Sequence, residues 1–394
     1  MKPARLCAAI LAILVPLVLL TGCWSRVEIN DRAFVSSIFV DKGQGGKVRL
    51  TLGMPLPSRL VPGQVGSSQG GNPYATVSKE APNLAEAVRL IQADLSRDLV
   101  WGLTRVVVMS DAYAKEGIVP LLEFLSRLPG FQFKTYMFMV EGDTKQLAKM
   151  PPVFERFPSE VMREFGNRRI TMDTTFRDFS IGYYNGGDMV VGILKTEMKR
   201  LVSEKNKPGL WAGTDGAAVF HNNRMIGTLS TKEARGVQWM ADKVNNAVIT
   251  FPSPTDEKPI SVVVLNSKTR VRPRIEKDGI VFQVHIYVQD ELMSSDSDIP
   301  VMEPANIERL QTRMSEEVKT RIMRAFEKSR RLNSDIFRFA EYMKVYEPKT
   351  WNAVKGNWHE TYRTKVRLDI QVESRIKRPG ETKRSLKSEP KDVG

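Results

Sequence analysis

Hydrophobic periodicity switches repeatedly between two residues and about 3.6 residues from Ala33 to Ile376, which excludes an all-helical or an all-strand chain. Ala33–Asp41 and Lys47–Leu52 are apolar-rich runs of strand length, joined by the turn Lys42-Gly-Gln-Gly-Gly46. Tyr74–Glu80 is a further strand. Asn83 then caps a helix whose positions Leu84, Ala87, Val88, Ile91 and Leu95 share one face. Thr104–Ser110 and Lys134–Glu141 read as strands, and Ala112–Arg127 and Thr144–Met150 as helices. Alternating elements of this kind build an α+β or α/β domain.

The second half repeats the mixture. After short helices between Pro151 and Tyr184, Asp188–Leu201 makes a long strand and Lys205–Gly209 turns the chain back. Gly216–Phe220 and Met225–Leu229 form a hairpin closed by His221-Asn222-Asn223-Arg224, where asparagines suit the positive φ of a tight turn. Ser230 and Glu233 have capping-box spacing and start a helix that runs to about Val244. Pro252-Ser-Pro-Thr-Asp-Glu-Lys-Pro259 reads as a linker, followed by strands Ile260–Val271 and Ile280–Gln289. Pro304 opens a long helix with the apolar stripe Ile307, Leu310, Met314, Val318, Ile322 and Phe326, and shorter helices start at Ser334 and Pro348. Tyr362–Ile376 alternates as a strand with one wet face. Pro55–Pro73 reads as a long mobile loop, and the charged tail from Arg378 as disordered. The expected fold class is α+β and multi-domain, with mixed β-sheets and packed helices. Its expected units are 23–187, 188–258 and 259–377, followed by the basic tail 378–394.

At the N-terminus, Lys2 and Arg5 precede an apolar stretch from Cys7 to Leu20, the layout of a signal peptide over residues 1–22. The stretch is shorter than the roughly 20 apolar residues that span a bilayer, and Pro16 interrupts it. Leu20-Thr21-Gly22-Cys23 resembles the lipobox of bacterial lipoproteins. That resemblance implies a mature chain beginning at Cys23, with an S-linked diacylglycerol and an N-acyl group. Cys7 leaves with the leader, so no intramolecular disulfide and no cysteine-based metal site are expected.

Loss of Lys2 and Arg5 lowers the formal charge from +14 to +12. A basic, exported, lipid-held chain points away from nucleic acid and toward either an anionic membrane surface or scattered charges that only keep the protein soluble. His221, His285 and His359 lack zinc-binding spacing, and no Gly-x-Ser-x-Gly elbow is present. Gly43-Gln-Gly-Gly-Lys47 lacks the Walker pattern, and Asp94 and Asp98, one helical turn apart, fit a solvated helix face. No catalysis, cofactor, metal or small-molecule ligand is expected. Trp351 and Trp358 fall on one helix face, suited to core packing or to a partner surface, and Glu233 and Arg235 are capping residues with the same second possibility.

Three stretches together resemble the Ger(x)C family, the lipoprotein C subunits of spore nutrient-germinant receptors. They are Gly22-Cys23-Trp24-Ser-Arg26-Val-Glu28-Ile29-Asn-Asp31, Gly216-Ala-Ala-Val-Phe220 through Gly227 to Glu233-Ala-Arg235-Gly236, and Trp351 through Trp358 into the final strand. Ser25 departs from the acidic residue common at its position. The resemblance implies a three-domain α and β protein without enzyme activity, anchored at the outer face of the spore inner membrane. It also implies polytopic A and B membrane subunits as partners. The alternative reading is an extracytoplasmic solute-binding lipoprotein.

Overall fold

The computed structural model describes residues 28–57, 72–185, 188–201, 207–301 and 303–378. The leader, Cys23, most of the Pro55–Pro73 loop and the tail from 379 lie outside the described residues. In chain order the larger elements are β1 (Arg32–Phe34), β2 (Ser37–Lys42), β3 (Val48–Pro55), β4 (Tyr74–Ala81), α1 (Leu84–Ala93), β5 (Asp98–Val100), β6 (Val106–Ser110), α2 (Asp111–Glu116), α3 (Val119–Arg127) and β7 (Tyr136–Val140). They continue as α4 (Lys145–Lys149), α5 (Pro158–Asn167), α6 (Phe176–Tyr184), β8 (Met189–Leu201), β9 (Lys207–His221), β10 (Arg224–Leu229), α7 (Thr231–Met240) and β11 (Ala247–Pro252). The last group is β12 (Pro259–Glu276), β13 (Gly279–Ser295), α8 (Pro304–Arg331), α9 (Phe339–Tyr346), α10 (Pro348–Val354), α11 (Trp358–Lys365) and β14 (Val366–Arg378).

The first sheet has the order β10-β9-β8-β7-β6-β2-β3-β4 and is parallel at its centre, from β2 through β6 and β7 to β8. Parallel strands are covered on both faces, and the period-two alternation of their side chains divides between two cores. Val107, Met109, Met137 and Met139 face α1, α2, α3 and α6. Val106, Val108, Phe138 and Val140 face α4 and α5. Gly117, at φ 123°, separates α2 from α3, so the helix expected over Ala112–Arg127 is two helices. Asp98 opens β5 and Asp94 pairs with Lys79 at 2.7 Å, so these two carboxylates do not share a helix.

The second sheet, β11-β12-β13-β14, is antiparallel until its last pair, where β14 runs parallel to β13. A parallel neighbour requires a crossover, which α8 to α11 provide. Leu310, Met314, Val318, Ile322 and Phe326 of α8 are buried against Phe282, Val284, Ile286 and Val288 of the sheet. Each such side chain contributes about 1.5–3 kcal/mol relative to exposure.

Three expectations are corrected here. Among the described residues the 188–258 segment has no sheet of its own: β8, β9 and β10 extend the first sheet, and β11 joins the second. Pro252–Pro259 is a hairpin turn, with Pro252 paired to Pro259 and the Ser253 N–H bonded to Lys258 O at 2.9 Å. Trp239 and Val237 of α7 share one core with β12, β13 and α8, so the chain on either side of that turn packs together. Finally, Tyr362 and Thr364 lie on α11, and the strand begins only at Val366. Alternation in a charged amphipathic stretch does not separate a short helix from the strand that follows it.

Candidate functional site

The antiparallel register of β8 and β9 pairs Met189 with Phe220, which sets Asp188 beside His221 at the sheet end. Asn222 and Asn223, at φ 48° and 60°, turn the chain there into β10. From the other sheet's crossover, the segment between α8 and α9 brings Asp335, and the first turn of α11 brings Trp358 and His359. Asn333 and Arg338, both in the left-handed region, bend that segment around Asp335.

These residues form one hydrogen-bonded joint. Asp188 Oδ1 lies 2.7 Å from His221 Nδ1, and Oδ2 lies 2.8 Å from His359 Nε2. The Asp335 N–H donates to Asp188 Oδ2 at 2.9 Å. The Asp335 carboxylate in turn accepts from the Phe339 N–H (2.9 Å), the Ala340 N–H (2.8 Å) and Trp358 Nε1 (3.0 Å). The two imidazole rings meet edge to face at 4.4 Å. Ser334 Oγ adds a bond to Phe220 O at 2.9 Å.

Burial sets the electrostatics. It opposes ionisation of Asp188, but the bonds from His221 and His359 outweigh it and hold that carboxyl below its usual pKa. His359 is shifted upward by its bond to Asp188. Burial pushes Asp335 up to about 6 against its three N–H donors, with the nearby Asp188 charge acting in the same direction as burial. The donor atoms of Asp188, His221 and His359 all lie within 4.8 Å of one another, close enough to share one cation. Beside the joint, a cleft of about 400 Å³ is lined by Met172, Met189, Met240, Phe337 and Tyr342.

Of the residues singled out in sequence, Trp358 enters this joint. Its ring also packs edge to face on Trp351, 5.4 Å away, and Trp351 is partly buried against the core. Glu233 forms the capping box with Ser230 and accepts from Lys328 Nζ at 3.2 Å, tying α7 to α8. Burial and the neighbouring Arg321 lower the pKa of the half-buried Arg235. Cys23 lies outside the described residues. The three histidines lack zinc-binding spacing in sequence, yet the fold brings His221 and His359 together, while His285 is exposed on β13 and takes no part in the joint. Asp188 and Asp335 were missed, since neither sits in a motif, and only the hairpin register hints that Asp188 adjoins His221.

Residues 25–196 match the family model for the spore germination protein N-terminal domain, and residues 215–380 match that for spore germination B3/GerAC-like C-terminal domains. The chain belongs to the Ger(x)C family. Spore germination protein KC of Bacillus subtilis (strain 168) is 23% identical over 98% of this chain and 99% of its own length. Spore germination protein B3 of the same organism is 22% identical over 90% of this chain and 93% of its own. The crystal structure of the GerBC protein superposes with a TM-score of 0.55 at 17% identity, covering 86% of this chain and 96% of that one, and so shares the fold. In Ger(x)C terms, the joint links the two matched regions: Asp188 belongs to the N-terminal one, and His221, Asp335, Trp358 and His359 to the C-terminal one. Among the described residues no helix is long and apolar enough to cross a membrane.

Proposed function

We propose that this chain is the lipid-anchored, non-catalytic C subunit of a spore nutrient germinant receptor. In this reading a diacylglycerol on Cys23 holds it at the outer face of the spore inner membrane, where it works through contact with polytopic A and B subunits. The observation that carries the reading is the end-to-end match to spore germination protein KC, over 98% of this chain. The lipobox ending at Cys23 supports the anchor, since two acyl chains are needed for stable attachment where one is marginal. Confinement at the membrane raises the effective concentration of the chain for membrane partners without any new contact.

The test is deletion of the gene in a spore-former lacking a redundant receptor. Response to one class of nutrient should be abolished, with spore assembly and non-nutrient germination intact. Cys23→Ala should give the same loss and release the protein from washed membranes. Normal nutrient germination in the deletion strain, or saturable binding of an amino acid or sugar by the purified chain, would favour a solute-binding lipoprotein instead.

A further inference from the structure

We propose that Asp188, His221 and His359 form a binding site for a divalent transition metal of the zinc type, which bridges the two halves of the fold. Two imidazole nitrogens and one carboxylate oxygen are a donor set that such cations favour. Here the donors come from three separate elements and converge within 4.8 Å. Four-coordinate zinc, with bonds of about 2.0–2.1 Å, needs donor atoms roughly 3.3 Å apart. The present separations, 2.7 Å from His221 Nδ1 to Asp188 Oδ1 and 2.8 Å from His359 Nε2 to Oδ2, are both shorter than that value. Entry of the ion therefore requires the imidazoles to turn from the carboxylate toward a shared centre, and their partial exposure leaves room for this. The His221 and His359 side chains are 20% and 30% exposed, against 9% for Asp188.

The surroundings are arranged as a supporting shell. The Asp335 N–H holds Asp188 Oδ2, leaving Oδ1 to meet the metal. Asn222 Nδ2 sits 3.1 Å from His221 Nε2. With metal on Nδ1, the ring proton resides on Nε2, and a flip of the Asn222 amide presents its oxygen as acceptor. Such outer partners fix the tautomer and orientation of ligating histidines. The bound ion would act as a staple between the end of the first sheet and the helical crossover of the second.

The test uses the full chain purified in detergent and stripped with chelator. Zn²⁺ is titrated by calorimetry and Co²⁺ by visible absorption. One equivalent of Zn²⁺ should bind per chain, Co²⁺ should give the d–d bands of a four-coordinate site, and Zn²⁺ should raise the melting temperature. His221→Gln and His359→Gln should each weaken binding by at least about tenfold, whereas His285→Gln should bind as the parent does. No saturable Zn²⁺ binding by the unaltered chain overturns the proposal, whatever the variants do. So does binding that is unchanged in either ligand variant.

Discussion

The backbone N–H of Asp335 donates to the carboxylate of Asp188 at 2.9 Å, joining residues separated by 147 positions. Asp335 is almost fully buried, and its own carboxylate holds the N-terminus of α9 and the Trp358 indole. Asp335→Ala leaves three N–H donors without their acceptor, and stranding even one buried donor costs about 1–3 kcal/mol. We expect a loss of roughly 3–5 kcal/mol in chemical denaturation. Trp358→Phe keeps an aromatic ring but is smaller and removes one donor, so it should lose roughly 1–3 kcal/mol for the stranded acceptor and the space left behind. A loss below 0.5 kcal/mol (on the order of a neutral surface change) for Asp335→Ala would refute the joint's structural role.

Gly236 lies where α7 crosses α8. A Cβ placed on it would sit 2.5 Å from the Arg321 carbonyl oxygen and 3.1 Å from Ile322 Cα, both backbone atoms that cannot turn aside. Gly236→Ala should therefore destabilise by about 1–3 kcal/mol, even though alanine is the better helix former. Thermal melting of the variant checks this, and an increase in melting temperature would contradict the close packing.

Asp290 is fully buried on β13. Its Oδ2 accepts from Ser374 Oγ at 2.6 Å, and its Oδ1 has no partner. Burial raises its pKa from 3.8 to about 6. The folded state then binds more protons than the unfolded one between those values, so this residue's contribution to stability falls as pH rises from about 4 to about 6. The full difference is roughly 3 kcal/mol. Asp290→Asn removes the titration. The stability of the variant minus that of the parent should rise across that interval and level off above it. A pH-independent difference would show that Asp290 titrates normally.

Ser253 is fully buried between Pro252 and Pro259, and its hydroxyl bonds Ser297 Oγ at 2.9 Å. Cleavage needs local unfolding of the bound segment, so limited proteolysis should spare 253–258 while the fold is intact. Early cleavage there would restore the linker reading.

Within the sequence, each local choice was set by period and turn chemistry. The β2–β3 hairpin, the Asn222–Asn223 turn, the Ser230–Glu233 capping box and the stripe from Leu310 to Phe326 all formed as local rules require. Family membership was also legible, because its motifs are short and contiguous. Pairing between distant elements was not. Two prolines flanking charged residues suit a linker and a hairpin turn equally, and only the burial of Ile249, Phe251, Ile260 and Val262 in one core decides for the turn. Side-chain period says which face a strand buries but not which sheet it joins, so the destination of β8 to β11 depended on long-range packing. The same holds for the joint. Asp188, His221, Asp335 and His359 carry no shared spacing, and each is an ordinary polar residue in its own segment. They become a cluster only when the crossover from β13 to β14 lays α11 against the end of β8 and β9, because burial there requires every polar group to find its partner from another part of the chain.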